Sequence, residues 1–325
     1  MARSDAPPSD SPPHRPQVVL GAVTTGLLNT SEPLPLDAAR QMLALTPGVN
    51  ADWRRHPVEQ VVSPDLFFGL DCRLAVPSGS EPRIIGTARA RAVLTAGHIL
   101  QGSARVDVSL GASRRRMPWS HYMAQPGVVE AVNKADPSEV VAGFLQGRPG
   151  RSLLDLGNTG AYVMSLLDGV PQIDRRARLK TQTHRLLWAA HVEEDVEPVG
   201  QIEAGEDGVF RVRMSTPAAL LPHFVEFCEI LALHHWLLSA LQNAFDRSTR
   251  KGRRAEGELD PALSYLGHVW NPTAHLPREM HWLWDGLERE AQISWEWQTT
   301  LTRVRDKVTL LTRRAIEETL HREVL

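Results

Sequence analysis

The apolar positions of this chain are spaced differently in its two halves. Before Thr216-Pro217 they occur in short, β-branched runs separated by Pro, Gly and Ser, and after it they recur at helical spacing over long segments. Runs of the first kind predict strands, and recurrence every three or four residues predicts helices. We therefore predict an α+β protein, with a mostly antiparallel β domain at residues 17–215 and an all-α bundle at residues 216–325.

The strand-like runs of the first half are short and close together, which favours a curled antiparallel sheet or a small barrel. They are residues 17–31, Val58–Val62, Phe67–Val76, Arg83–Ala88, Ala92–Ala96, Ala104–Leu110, Leu186–Val192, Val199–Glu203 and Val209–Met214. A short helix is predicted at Asp37–Leu45 with Asp37 as its cap. A helical insertion is predicted around residues 117–170, where Asp136-Pro137-Ser138-Glu139 has the pattern of a capping box.

The second half opens with Thr216 as a possible helix cap and Pro217 in the first turn. From there to Phe245 nearly every face is apolar, which is typical of a central helix packed by others. The last predicted helix has a seam of apolar residues separated by four and three positions: Trp297, Leu301, Val304, Val308, Leu311 and Ala315. The seam is shorter than three heptads, which favours packing within the bundle over dimerisation.

Composition excludes some classes of partner. The 36 Lys and Arg against 38 Asp and Glu give a net charge of -2, so no overall field attracts nucleic acid or a membrane. Residues 1–16 contain five prolines and no apolar core, which predicts a disordered tail rather than a signal peptide. The uncharged stretch Ile230–Phe245 is too short and too polar to span a bilayer. With only two distant cysteines, the chain is predicted to be cytoplasmic.

Fragments of catalytic motifs are present, but each lacks its second part. The segment Leu94–His98 resembles the strand end that carries the histidine of trypsin-like proteases, yet the Gly-rich turn at 157–160 has no serine. His191-Val192-Glu193 matches half of a zinc deaminase signature, without the Pro-Cys-x-x-Cys half. These patterns favour a structural histidine at position 98 and no metal at position 191.

The helical half likewise lacks a complete metal or nucleotide motif. Glu226, Glu229, His234 and His235 bring to mind a di-iron bundle, but that site needs Glu-x-x-His on two helices. No P-loop and no dinucleotide-binding motif occurs in the chain. We predict no metal, no cofactor and no catalytic residue, which favours a protein that is not an enzyme.

Two basic clusters are candidate sites for an anion or another ligand. Arginines beside aromatic rings can bind phosphate and stack on a base. The candidate residues are Arg115, Arg116, Trp119, His121 and Tyr122 in one cluster and Arg175 and Arg176 in the other. If both clusters lie on one face of the sheet they form an anion-binding groove. The alternative is that they are solvated loops paired with acidic residues, and the charged segment 247–254 is treated as a linker.

Six of the nine tryptophans lie in the helical half. Trp282/Trp284 and Trp295/Trp297 are pairs two residues apart, and two residues turn a helix by about 200°. One member of each pair should therefore face away from the bundle core. Because Trp is enriched at binding hot spots, these four residues are candidates for a partner surface.

Five segments are similar to a family of actinobacterial cytosolic proteins of unknown function, encoded in a conserved cluster with a variant P-loop protein. The segments are VVLGAVTTGLL, SPDLFFGLDCRL, GTARARAVLTAGHILQGS, RRRMPWSHYMAQPGV and LALHHWLL. The similarity covers about residues 17–315 and transfers no catalytic residue. It implies an accessory subunit whose P-loop neighbour carries the nucleotide chemistry.

Three functions follow from these observations. The leading hypothesis is a non-enzymatic interaction or adaptor subunit of a cytosolic complex with a P-loop partner protein. The second is an enzyme or small-ligand protein that binds an anion in the Arg/His/Trp pocket of the β domain. The third is nucleic-acid binding through the same groove.

Overall fold

The computed structural model describes residues 17–55, 58–110, 116–132, 135–147, 150, 152–177, 179–205, 207–251, 257 and 259–323. Within these residues the chain has the predicted α+β architecture, with a ten-stranded N-terminal sheet followed by a helical region. The sheet is open and not closed into a barrel. The small barrel was therefore wrong, and the open sheet is mostly, but not entirely, antiparallel.

The bounds of the elements are as follows. The strands are β1 (Val18–Leu27), β2 (Asp52–Arg54), β3 (Gln60–Val62), β4 (Leu66–Arg73), β5 (Arg83–Thr95), β6 (Ile99–Leu110), β7 (Val128–Val132), β8 (His184–Val192), β9 (Val199–Ala204) and β10 (Phe210–Thr216). The helices are α1 (Leu36–Leu43), α2 (Trp119–Met123), α3 (Pro137–Gln146), α4 (Leu156–Ser165), α5 (Leu221–Lys251), α6 (Leu259–Leu266), α7 (Pro272–His275), α8 (His281–Ala291) and α9 (Ile293–Glu323).

The strand order is β2-β3-β5-β7-β6-β1-β8-β10-β9, and β4 pairs with β5 outside this path. Strand β1 is central and runs antiparallel to both β6 and β8. Strand β7 enters between the separating ends of β5 and β6, antiparallel to the first and parallel to the second. At this junction Gly86 has φ +154° and lies against the Val128 carbonyl, where a Cβ would overlap. Only glycine fits this position.

The sheet has helices on both faces. Val19 and Val23 of β1 face the bundle, where they share one hydrophobic core with α5, and Val18 and Leu20 face the other side, where α1, α3 and α4 pack. Alternation of side chains along a strand produces this division. Trp188 of β8 meets α5 edge-on at Phe224, with ring centroids 5.5 Å apart. The helical half thus completes the core of the β half.

Helix α4 packs very closely on the sheet through two glycines. A Cβ on Gly102 of β6 would overlap the backbone carbonyl of Gly160, and a Cβ on Gly160 would overlap that of Gly102. The Thr24 hydroxyl donates a hydrogen bond of 3.0 Å to the Gly157 carbonyl at the start of the same helix. Residues 157–160, predicted to be a Gly-rich turn, are therefore part of α4, and Gly160 allows this helix to pack closely on β6.

Helix α5 is the central helix of the bundle, as predicted, but it begins later. Thr216 is the last residue of β10, and α5 starts at Leu221 after a 3-10 turn at Ala218–Leu220. The segment Ala218–Arg250 is long and apolar enough to cross a membrane, yet 83% of its most apolar window is buried within the fold. A core helix of a folded protein has the same length and composition.

The predicted helical insertion at 117–170 is only partly correct. It contains α2, α3 and α4, but also strand β7, which was not predicted. The cap of α3 is confirmed, because Asp136 accepts hydrogen bonds from the backbone of Ser138 and Glu139. The cap of α1 was wrong, since Pro35 and not Asp37 precedes its first turn. The runs 83–88 and 92–96 are one continuous strand, β5.

The C-terminal part of helix α9 projects beyond the body of the protein. Its first turns bury Trp297, Leu301 and Val304 in the bundle core. Val308 and Leu311 are only partly buried, and residues 312–321 are all exposed. The predicted apolar seam therefore packs within the bundle over its first half, and Ala315 at its end is exposed.

Candidate functional site

The first basic cluster is held by acidic groups of the sheet. Arg116 forms an ion pair of 3.2 Å with Asp71 on β4 and lies over the Trp119 ring at 5.9 Å. Asp71 also accepts two hydrogen bonds from Arg83, and this contact is the main cause that lowers the pKa of the Asp71 carboxyl. The guanidinium of Arg116 is therefore engaged in the fold, and Arg115 lies outside the described residues.

The other two residues of this cluster have structural contacts. His121 Nε2 lies 2.6 Å from a carboxylate oxygen of the buried Glu130 on β7. Tyr122 is buried, and its hydroxyl accepts a hydrogen bond of 2.9 Å from the backbone of Met117. The contact of His121 with Glu130 joins helix α2 to the sheet. Trp119 is partly exposed and covers Gly69 of β4.

The second cluster lies in a loop that is held by hydrogen bonds to Ser31, in a different part of the protein. Asp174 accepts hydrogen bonds from the backbone and hydroxyl of Ser31 and from the backbone of Arg176, and the Ser31 hydroxyl is the main cause that lowers its pKa. Arg175 has a left-handed backbone, with φ +59°. The side chains of Arg175 and Arg176 are exposed.

The two basic clusters do not converge. Arg116 forms its ion pair with Asp71 of β4. Asp71 lies opposite Ile85 of β5, so the first cluster lies near this end of β5. Ser31 lies at the other end, near the hairpin turn that follows Thr95. Ten residues of extended strand separate these levels, about 33 Å at the usual rise per residue. The predicted groove shared by Arg116 and Arg176 is therefore not formed.

His98 has the contacts of a structural residue. It is buried in the turn between β5 and β6, with Nδ1 2.6 Å from the Ala96 carbonyl and Nε2 2.9 Å from the Tyr265 carbonyl of α6. Burial is the main cause that lowers its pKa. The Tyr265 hydroxyl donates to the Ser31 carbonyl at 2.6 Å. These contacts join the hairpin to the bundle. Among the described residues, no group of three or more His, Cys, Asp or Glu could hold a metal ion.

The tryptophan pairs divide as the helical geometry predicts. Trp282 and Trp295 are 38% and 64% exposed, whereas Trp284 and Trp297 are 2% and 1% exposed. Trp297 stacks on Trp270 inside the bundle, with ring centroids 4.4 Å apart. Trp284 and Trp297 were therefore wrong as surface candidates, because they form the bundle core.

One side of α9 carries a row of exposed side chains, the outer stripe: Trp295, Thr302, Thr309, Ile316 and Leu320. The first four are seven residues apart, and a straight helix drifts by only about 20° per heptad, so they share a side. Leu320 follows one turn later. The hydroxyls of Thr302 and Thr309 donate to backbone carbonyls one turn back, at 2.9 and 3.0 Å. The apolar members of the stripe are Trp295, Ile316 and Leu320, and Arg313, which lies on the same side between Thr309 and Ile316, is paired with Glu317.

A polar cleft of about 700 Å³ lies between the sheet and the start of α5. Its position follows from the strand pattern. On the bundle side β5 and β6 carry alternating polar residues, such as Arg91 and Gln101, while β1 and β8 carry apolar ones. Helix α5 covers the apolar strands, and the polar part of the sheet beside it forms the cleft. Alternation within one strand thus decides which part of this face is covered.

An ion pair in the cleft joins β5 to α5. Arg91 Nε and Nη2 donate to the Glu229 carboxylate at distances of 3.0, 2.9 and 2.7 Å. The charge of Glu229 is the main cause that raises the pKa of Arg91. Gln101 Nε2 donates to the Glu229 carbonyl at 2.9 Å and to the Thr25 hydroxyl at 3.1 Å. This network fixes α5 on the sheet.

The mouth of the cleft is formed by the edge strand β2 and the first turns of α5. Arg54 of β2 is hydrogen-bonded to Glu226 of α5 across the opening. Trp53 beside it is exposed. The charged lining side chains, apart from His223, are Arg40, Arg54, Arg91, Asp52, Glu226 and Glu229, three of each sign.

This cleft was not predicted from the sequence. Glu226 and Glu229 were considered only as metal ligands, and Arg91 lies in a segment used for the family resemblance. A local signal exists, because alternation of Ala and Arg from Ala88 to Ala92 indicates a strand with one buried and one polar face. The partner of Arg91 is 138 residues away in the chain, and no local pattern identifies it.

Comparisons with protein families, curated proteins and solved structures gave no match to this chain. The resemblance to an actinobacterial family therefore stays a prediction.

Proposed function

We propose that the protein is a non-enzymatic interaction subunit of a cytoplasmic complex and that it binds its partner along the outer stripe of α9. The single observation that carries this proposal is the projecting end of α9. Residues 312–321 are all exposed, and Ile316 and Leu320 are each more than half exposed on the side that also carries Trp295. Ile316 and Leu320 leave contact with water when another surface covers this side of the helix, which favours association.

The geometry of the stripe suits a partner helix. Side chains that recur every seven residues, as Trp295, Thr302, Thr309 and Ile316 do, can face a second helix with the same spacing. From Trp295 to Leu320 the stripe is about 38 Å long, at 1.5 Å per residue. Burial of one Leu or Ile side chain stabilises a complex by about 1.5–3 kcal/mol. Trp295, Ile316 and Leu320 are therefore the expected hot spots.

The identity of the partner is the part of the proposal that rests on the family resemblance. That resemblance implies a P-loop protein, and this chain has no P-loop motif of its own. The protein would then supply binding and positioning, and its partner would supply the nucleotide chemistry.

The test is quantitative co-purification from the native host. The double variant Ile316→Glu/Leu320→Glu is compared with wild type and with Leu310→Glu, a control with the same kind of charge change on another side of the same helix, where Leu310 is also exposed. We expect a P-loop protein in near-equal amount with wild type and with the control, and at least a tenfold loss with the double variant. A solitary monomer at native concentration contradicts the proposal, and so does a complex that survives the double variant.

A further inference from the structure

A groove with basic walls lies where helix α9 passes the C-terminal end of α5, and its volume is about 370 Å³. Its described lining residues are Phe245 of α5 and Arg303, Asp306, Lys307, Leu310, Leu311 and Arg314 of α9. Residues 303, 307, 310 and 314 lie about 100° around the helix from Thr302 and Thr309 of the outer stripe. The groove is therefore a separate surface from the one that we propose for the P-loop partner.

The groove has a net positive charge, although the whole protein is slightly negative. Residues 245–250 and 303–314 hold seven of the 36 Lys and Arg residues and only two of the 38 Asp and Glu residues. Arg303 and Arg314 are exposed, and neither forms an ion pair with a carboxylate among the described residues. Arg313, by contrast, is paired with Glu317 at 3.1 Å. An anionic occupant would complement the two unpaired guanidinium groups.

Two of the cations are held in place at one end of the groove. The Arg303 guanidinium lies 4.7 Å and Lys307 Nζ 5.5 Å from the centroid of the Phe245 ring. Lys307 Nζ also donates a hydrogen bond of 3.2 Å to the Thr249 hydroxyl. Cations that are attracted to an aromatic face in this way lose less freedom when they bind a ligand.

Basic and apolar side chains follow one another along the groove. Arg303 and Lys307 come first, Leu310 and Leu311 follow, and Arg314 lies about 16 Å along the helix from Arg303. Leu310 is more than half exposed although it is apolar. The complementary occupant has one anionic group, then an apolar group, then a second anionic group. A peptide can present side chains in this order, and an extended chain covers the distance with about five residues.

Two other kinds of anionic partner suit the groove less well. Asp306 lines it among the basic residues. A nucleic-acid strand carries a phosphate at every nucleotide, so a phosphate would lie close to this carboxylate and be repelled. The surface of a bilayer is flat and does not enter a groove between two helices. A peptide avoids the repulsion by placing a neutral residue at Asp306.

We propose that this groove binds an acidic peptide segment of a partner protein. One carboxylate of the segment pairs with Arg303 and Lys307, an apolar side chain covers Leu310, and a second carboxylate pairs with Arg314. Because these charges are exposed, the affinity should fall as the salt concentration rises.

The test is the selection of binding peptides by the full-length protein from a phage library of random 12-residue peptides. The most enriched peptide is then synthesised, and its affinity is measured by fluorescence anisotropy. A DNA duplex and vesicles of phosphatidylserine and phosphatidylcholine are compared with the peptide at the same salt concentration.

Two groove variants are compared with matched controls on other sides of the same helix, and circular dichroism checks the fold of all four. The groove variants are Arg303→Gln/Arg314→Gln and Leu310→Glu. The controls are Arg305→Gln/Arg313→Gln, which removes two other exposed arginines, and Ile316→Glu/Leu320→Glu, which adds negative charge to the outer stripe.

We expect the enriched peptides to contain two acidic residues that flank an apolar one. Both groove variants should weaken binding of the synthetic peptide at least tenfold, and both controls less than threefold. Three results overturn the proposal: the selection enriches no peptide with this pattern, the groove variants bind as the controls do, or DNA or vesicles bind more tightly than the peptide and displace it.

This test and the co-purification test can fail separately. Leu310→Glu should abolish peptide binding and leave the P-loop complex intact, whereas Ile316→Glu/Leu320→Glu should do the opposite. A failure of one proposal therefore leaves the expected result of the other unchanged.

Discussion

Arg91 of strand β5 and Glu229 of helix α5 form a bidentate ion pair that joins the sheet to the helical bundle. Both carboxylate oxygens accept hydrogen bonds from the guanidinium, at distances of 3.0, 2.9 and 2.7 Å. The Glu229 side chain is almost fully buried, and that of Arg91 is partly exposed. Removal of one partner leaves the other charge in a partly buried place without compensation.

We expect Arg91→Met and Glu229→Leu each to lower the free energy of unfolding by about 1–3 kcal/mol, less than for a fully buried pair because solvent reaches Arg91. The double variant Arg91→Met/Glu229→Leu should lose clearly less than the sum of the two, because it leaves no unpaired charge. Urea unfolding of the four proteins measures these differences. Additive losses would show that the two residues are not coupled.

The contact between Gly102 and Gly160 leads to a second prediction about stability. A methyl group on either residue would overlap the other's backbone carbonyl, and backbone cannot move aside as a side chain can. We expect Gly102→Ala to destabilise the fold by about 1–3 kcal/mol, or more if α4 must shift. Thermal and urea unfolding measure the change.

The matched control is Gly286→Ala in helix α8. No atom lies within 4 Å of the Cβ that the substitution would add. Because alanine restricts the unfolded chain and favours helix, this change should stabilise the protein by about 0.4–1 kcal/mol. Equal effects of the two substitutions would contradict the close packing of α4 on β6.

His235 links stability to pH. Burial, with a smaller effect of His184, lowers the pKa of His235 from 6.5 to about 4. The imidazole lies 5.3 Å from that of His184 and 4.1 Å from the Phe210 ring, between centroids. Between pH 6.5 and about 4 the unfolded chain therefore binds one more proton at this residue than the folded chain does.

The free energy of unfolding should consequently fall as the pH drops from 6.5 towards 4, by up to about 1.4 kcal/mol per pH unit from this residue. The pKa values of His98, His184 and His191 are also lowered by burial, and they act in the same direction. We expect His235→Gln to reduce the slope of stability against pH in this window by up to one proton. A slope equal to that of wild type would contradict the assignment.

The elements that could be predicted from the sequence are those determined by residues close together in the chain. The Asp136 cap and the division of Trp295 from Trp297 follow from spacing within one segment, and both agree with the structure. Strand β7 was missed because it lies between two short helices, α2 and α3, and owes its conformation to pairing with Arg83–Gly86 of β5. That pairing joins residues about 45 positions apart in the chain.

The sites were harder to predict for the same reason. Arg116 and Arg176 belong to similar basic runs, but the sheet separates them by most of the length of β5. Conversely, no local pattern links Arg91 to Glu229, which was considered only as a metal ligand, and only the crossing of α5 over the sheet brings the two residues together. Local spacing holds no information about either relationship.

The central claim is that the projecting end of α9 binds a partner, and hydrogen–deuterium exchange of residues 309–323 tests it most directly. Exchange is measured on the isolated protein and on the complex purified from the native host. We expect rapid exchange of residues 312–321 in isolation, because their side chains are all exposed, and at least tenfold slower exchange in the complex. Equal exchange in the two samples, with protection elsewhere on the molecule, would contradict the account.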